Sequence, residues 1–210
     1  MAPSICPTIL ASNPEEYTRQ LGHVIQFATR LHIDLADGTF APAKTIDLDQ
    51  VWWPGDVRAD LHIMYQKPFD HYKTYLELGP QMVIVHAEAD GNFVPFAELM
   101  HRHGIEVGVA LKPTTQVEHI RPALGWIDHV LIFSGNLGHF GGQADLGLLD
   151  KAEVLRHLKP QLEIGWDGGV DANNARTIAL GGVDVLNVGG YLQHAINPQA
   201  AYNTLTQTIQ

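Results

Sequence analysis

The sequence predicts a (β/α)8 barrel on three observations. Eight short apolar or β-branched runs recur along the chain, segments of helical spacing lie between most of them, and the runs are apolar nearly throughout rather than alternating. Strands that are apolar on both faces belong to parallel sheets covered by helices, and at 210 residues the economical closure of eight such units is a barrel. A doubly wound open sheet is the alternative.

Taken in order, residues 5–10 read as the first strand, and Ser12-Asn13-Pro14 then offers a cap and a first-turn proline for a helix over 14–28. Residues 31–35 form the second strand, followed by a connection over 36–49 that is long for a βα unit. Strand three covers 59–64 and its helix 68–78, with Gly79 placed to end it. Strand four, 82–86, precedes a helix over 93–103 that stops at Gly104, and strands five and six cover 106–111 and 129–133. A second long loop spans 134–145 before a helix over 148–158 and strand seven at 162–166. Asp171-Ala172-Asn173 opens a helix over 173–180, closed by Gly181, and strand eight covers 183–188. Loops that follow strands build the working face of a barrel, so function is expected around 36–49 and 134–145.

No Pro- or Ser-rich linker, charge block or low-complexity tract divides residues 1–210, which therefore read as a single domain. The net charge of −10 and the 13 scattered Lys and Arg residues argue against nucleic acid as a partner. No apolar stretch reaches the roughly 18–20 residues of a membrane-spanning helix. Met1-Ala2-Pro3-Ser4 has no basic leader character and the single Cys6 has no disulfide partner, so a cytoplasmic location is expected.

His32 and Asp34 are two apart on a strand and face the same side, which in a barrel is the bore. His62 lies near the end of the next strand, and Asp167 ends strand seven on the opposite wall. Two imidazoles and two carboxylates make a mixed nitrogen and oxygen set suited to one divalent transition metal, Zn, Fe, Mn or Co. A cation beside a ketose carbonyl and its neighbouring hydroxyl would stabilise an enediolate. Asp34 and Asp167 would then remove a proton from one face and supply it to the other, which is the requirement for epimerisation. Gly141-Gly142-Gln143, Gly168-Gly169 and Gly189-Gly190 follow strands in the last three units, where free backbone amides suit a phosphate.

Several segments together resemble the ribulose-phosphate 3-epimerase family. They are Pro7-Thr8-Ile9-Leu10, the run His32-Ile33-Asp34-Leu35-Ala36-Asp37-Gly38-Thr39-Phe40-Ala41-Pro42, Leu61-His62-Ile63-Met64, Phe140-Gly141-Gly142-Gln143 and Asp167-Gly168-Gly169, in the family's order. The resemblance implies a TIM barrel of the ribulose-phosphate-binding type, and a metal held by His32, Asp34, His62 and Asp167. It implies Asp34 and Asp167 as the acid/base pair and interconversion of D-ribulose 5-phosphate and D-xylulose 5-phosphate. The phosphate would lie against Gly142, Gly169, Gly189 and Gly190, Thr8 would stand in for the family's usual serine, and the assembly would be a homo-oligomer.

The chain departs from the family pattern at Ala36 and Ala43, where methionine and asparagine are usual, in the loop 136–143, and at Gly189-Gly190, where Gly-Ser is usual. Loss of methionine bulk at Ala36 would widen the bore, so a six-carbon ketose phosphate is an alternative substrate, and a phosphosugar-binding barrel without turnover is a third reading. A related barrel group that decarboxylates or joins carbons uses Asp-x-Lys-x-x-Asp on strand two. Here that stretch is His32-Ile33-Asp34-Leu35-Ala36-Asp37, without the lysine. His86 reads as a packed residue behind the site, Cys6 as a small buried hydrophobe, Trp52-Trp53 as a packing or oligomer contact, and Trp166 as a wall beside Asp167.

Overall fold

The computed structural model describes residues 2–210. Eight parallel strands close into a barrel in chain order: β1 (Ser4–Ile9), β2 (Arg30–Ala36), β3 (Arg58–Met64), β4 (Met82–His86), β5 (Glu106–Leu111), β6 (His129–Phe133), β7 (Glu163–Asp167) and β8 (Val185–Val188). β1 pairs with β2 through Thr8 and His32 and with β8 through Cys6 and Asn187, which completes the ring. The expected barrel is therefore the observed one, and the open sheet is not.

Every strand divides its side chains between two environments. On β2, Leu31, Ile33 and Leu35 join the apolar layer between sheet and helices, with Ala59, Leu61 and Ile63 of β3 beside them. The intervening Arg30, His32 and Asp34 face the bore. This two-residue period explains why the runs look apolar throughout: the outward set packs under helices, and much of the inward set is apolar too. Midway along the bore, Met82, Ile84, Ala110 and Leu131 form a separate apolar cluster, with charged residues at the strand beginnings below and polar residues at the strand ends above.

Helix α1 (Pro14–Val24) buries Tyr17, Gln20, Leu21 and Val24, one face at helical spacing, and its Asn13 cap accepts a hydrogen bond from the Glu16 amide at 2.9 Å. It ends short of the expected residue 28. The others are α2 (Tyr72–Leu78), α3 (Phe93–Arg102), α4 (Leu149–Leu158), α5 (Ala175–Leu180), α6 (Gly190–Gln193) and α7 (Pro198–Ile209). Gly79 ends α2 in the left-handed conformation, φ 61°, as its position suggests. Two units depart from strict alternation: between β2 and β3 lies only a 3-10 turn (Leu48–Gln50), and between β5 and β6 a 3-10 run (Val117–Trp126) that contains Pro122. Proline lacks the N–H that an α-helix interior needs, which accounts for the tighter, irregular form there. Among the described residues no helix is long and apolar enough to cross a membrane.

Candidate active site

The barrel brings His32, Asp34, His62 and Asp167 together at the strand ends. One ligand-type atom from each lies within 4.8 Å of all the others, and all four residues are buried. His62 Nδ1 is 2.7 Å from Asp34 Oδ1 and 3.8 Å from Asp167 Oδ2, while His32 Nε2 is 3.3 Å and 4.0 Å from the same two oxygens. Ligands about 2.1 Å from one ion stand roughly 3–4 Å apart, so the spacing suits a single cation. A second observation agrees: both ring nitrogens of His32 are buried without a hydrogen-bond partner. A buried imidazole left wholly unpaired is costly unless a ligand completes it. The residues present therefore fit a divalent metal.

The two acids differ sharply in proton affinity. Burial pushes Asp167 up to about 7, reinforced by the neighbouring Asp34 charge. Burial also acts against ionisation of Asp34, but His32 and His62 outweigh it and hold that carboxyl well below the usual range. The chain's own groups thus favour the proton on Asp167 over Asp34, the kind of division that paired acid/base chemistry uses.

Behind this set stands His86, the last residue of β4. Its Nε2 lies 2.9 Å from His62 Nε2, and its Nδ1 faces Glu88 Oε2 at 3.5 Å. Glu88 in turn accepts hydrogen bonds from the Thr115 hydroxyl and the Lys112 amide. Burial lowers His86 to about 4, so the ring is neutral and carries one proton. With that proton on Nδ1 toward Glu88, His86 Nε2 accepts from His62 Nε2–H. The lone pair of His62 Nδ1 then faces the Asp34 carboxylate, a contact that a proton or a cation must mediate. The reading of His86 as a packed residue behind the site agrees with this placement.

Above the carboxylates opens a cavity of about 280 Å³, lined by Thr8, Asp34, Met64, Asp167 and Asn187 and rimmed by Gly141, Gly142, Gly168, Gly169, Gly189 and Gly190. The histidines lie beneath this floor, fully buried. Gly168 and Gly169 have positive φ, 110° and 69°, and a side chain on either would run into the backbone at Gly135 or Ala144. These glycines let the loops after β6 and β7 close on each other. Of the three glycine pairs, only Gly189-Gly190 abuts a helix directly.

Three expectations need correction. Gln143 is exposed and lies outside the cavity lining. Trp166 faces the helices, fully buried in the outer apolar layer, and its indole N–H donates to Gly168 O at 3.0 Å; it is no wall of the bore. Ala36 does not line the cavity either: it packs with Ala41 and Met64 against Phe40 and Leu137, so its small size leaves no added room at the site. Conversely, Asn187, Asn136 and His194 line the cavity without having been anticipated. For Asn187 a signal existed: it is the polar interruption of the strand Val185–Val188.

Comparisons with known proteins agree with this geometry. The model of the "Ribulose-phosphate 3 epimerase family" matches residues 4–193. The ribulose-phosphate 3-epimerase of Mycobacterium leprae is 33% identical over 98% of this chain and 94% of its own length, and that of Helicobacter pylori is 30% identical over 98% of both. Among solved structures, a 3-hexulose-6-phosphate synthase superposes over all of both chains with a TM-score of 0.73 at 18% identity. The 3-keto-L-gulonate-6-phosphate decarboxylase of Vibrio cholerae does so with a TM-score of 0.76 at 13% identity, over 100% of this chain and 98% of its own. At such identities the structural likeness speaks to the barrel alone. The match across nearly the whole sequence is what decides the matter: this chain is an isomerase that belongs to the ribulose-phosphate 3-epimerase family.

Proposed function

We propose that this protein interconverts D-ribulose 5-phosphate and D-xylulose 5-phosphate by inverting C3, with Asp34 and Asp167 as the two groups that handle the proton. The observation that carries the reading is the cavity floor, where two buried carboxyls from different strands, Asp34 and Asp167, converge with His32 and His62 beneath the cavity. His32, Asp34, His62 and Asp167 would hold one divalent transition metal, Zn, Fe, Mn or Co. When bound, such an ion supplies Lewis acidity toward the ketose carbonyl and its neighbouring hydroxyl.

The remaining work falls to the chain. The ionised carboxylate takes the C3 proton from one face of the sugar, and the protonated carboxyl delivers its own proton to the other face. Each turnover leaves the proton on the opposite acid, so the same pair serves both directions. The glycine rim, Gly141, Gly142, Gly168, Gly169, Gly189 and Gly190, presents backbone rather than side chains to the cavity, which suits the phosphate, while Thr8 faces the sugar. The cavity lies near the small end of the roughly 300–1,000 Å³ typical of small-molecule sites. Together with the packing of Ala36, this favours a five-carbon over a six-carbon ketose phosphate.

The test is proton exchange at C3 in D₂O, with metal analysis of the purified protein. Wild-type protein should carry about one transition-metal ion per chain and exchange C3–H of the five-carbon ketose phosphates while interconverting them. Exchange confined to six-carbon ketose phosphates, or phosphosugar binding with no exchange, would overturn the reading.

A further inference from the structure

Asn187 is buried in the bore, 2% exposed, and neither its Oδ1 nor its Nδ2 has a hydrogen-bond partner. It nevertheless lines the cavity. The strand pairing fixes its height: it sits level with Asp167 of β7 on one side and with Cys6 of β1 on the other, one inward step below Thr8. The Thr8 hydroxyl is likewise buried without a partner. Its outward neighbours Leu186 and Val188 pack under the helices, so the inward placement of Asn187 follows from the strand's two-residue period.

An unpaired buried carboxamide weakens folding by about tenfold or more in the equilibrium, and a leucine of similar shape would avoid that cost. A carboxamide placed here is explained by a ligand that pairs with it. It offers both a donor and an acceptor and carries no charge that would disturb the adjacent carboxyls.

On the reading of the cavity given above, on which this inference rests, most polar groups of the substrate are accounted for. The carbonyl at C2 and the hydroxyl at C3 lie over the floor formed by Asp34 and Asp167, and the phosphate meets the glycine rim. The hydroxyls at C1 and C4 remain. Asn187 stands level with Asp167, on the strand that leads two residues on to Gly189 of the rim, and so borders the cavity between the reacting acids and the glycines. That is where the carbon joining the reacting centre to the phosphate-bearing one would lie. We propose that Asn187 hydrogen-bonds the C4 hydroxyl of the ketose phosphate and makes that hydroxyl a condition of efficient turnover.

The test compares wild-type holoenzyme with Asn187→Leu on D-ribulose 5-phosphate and on its 1-deoxy and 4-deoxy analogues, following epimerisation, binding by calorimetry, metal content and thermal unfolding. Asn187→Leu should lower kcat/KM at least 30-fold on the full substrate and on the 1-deoxy analogue, but less than threefold on the 4-deoxy analogue. Metal stoichiometry should be unchanged, and the ligand-free melting temperature equal or higher. Asn187→Val, which is smaller, should show the same substrate pattern and covers the case in which leucine does not fit.

A penalty equal on all three substrates, a penalty that vanishes on the 1-deoxy analogue instead, or no penalty on the full substrate would overturn the assignment while leaving the epimerase reading intact. Wild-type protein that neither binds nor turns over D-ribulose 5-phosphate would overturn both.

Discussion

The two ends of the bore bury similar groups and use them differently. At the base, Arg30 donates to Asp60 at 2.6 Å and to both oxygens of Glu163 at 2.9 and 2.7 Å, while His129 Nδ1 lies 2.8 Å from Glu163. A cation of the chain's own answers buried Asp60 and half-buried Glu163 there. At the mouth, Asp34 and Asp167 stand within 4.0 Å of two imidazoles and, among the described residues, of no lysine or arginine. The base also leaves Asp60 Oδ1 and His129 Nε2 without partners, so a single orphan atom does not mark a site. A deficit of positive charge combined with wholly unpaired His32 does. The comparison teaches that burial of charge is structural where the chain balances it and functional where balance is left to a ligand.

The largest expected break in that contrast is Asp167→Asn. It should reduce epimerisation by about 10³–10⁴-fold, the upper range for loss of a general acid/base group, with the fold intact by circular dichroism. Exchange of the C3 proton should survive for one epimer, because Asp34 remains as a base. Equal loss for both epimers, with metal retained, would count against two separate proton-handling groups.

At the base the expected effect is on stability instead. Arg30→Met leaves Asp60 and Glu163 without their cation and should cost about 3 kcal/mol in urea unfolding, with kcat changed less than about twofold well below the melting temperature. A comparable loss of kcat would mean that the ends are not separate in kind.

His62→Ala should weaken metal binding by about 100-fold or more, measured by equilibrium dialysis with elemental analysis. His86→Phe, which removes the partner of His62 Nε2 but keeps a ring, should weaken it by about 10-fold. Similar losses for both would give His86 a ligand's role rather than an orienting one.

The smallest effect concerns pH. Burial acts against ionisation of Glu163, but His129 and Arg30 outweigh it, and the folded carboxyl titrates well below the usual range. In the unfolded chain it titrates near about 4.3. Its contribution to stability is thus complete above about pH 5 and lost as pH falls through the unfolded value toward the folded one. Glu163→Gln should flatten the decline of stability with acid between about pH 5 and pH 3, read from urea midpoints. An unchanged slope would show that Glu163 is not the group responsible.

Much of this was legible in the chain itself, for physical reasons. The strands could be read because burial on both faces makes them apolar runs, and His32 and Asp34 because a spacing of two keeps side chains on one face. The run Val117–Trp126 is not legible in the sequence because a 3-10 segment around Pro122 has no α-helical period. The Arg30–Glu163 pairing joins residues 133 positions apart, and nothing local announces it. Asn187 is legible as a polar residue in an apolar strand, but only the pairing of β8 with β7 puts it level with Asp167 at the same cavity. The small size of Ala36 is legible in the sequence, while its packing against Met64 and Phe40 is not.

The apolar cluster of Met82, Ile84, Ala110 and Leu131 fills the bore on the β4–β6 side, and the two polar sets use separate partners above and below. Free-energy changes made above and below it should simply add, with a coupling within about 0.5 kcal/mol in a double mutant of Arg30 and Asp167. The chemistry at the mouth can then be rewritten without disturbing the foundation on which the barrel stands.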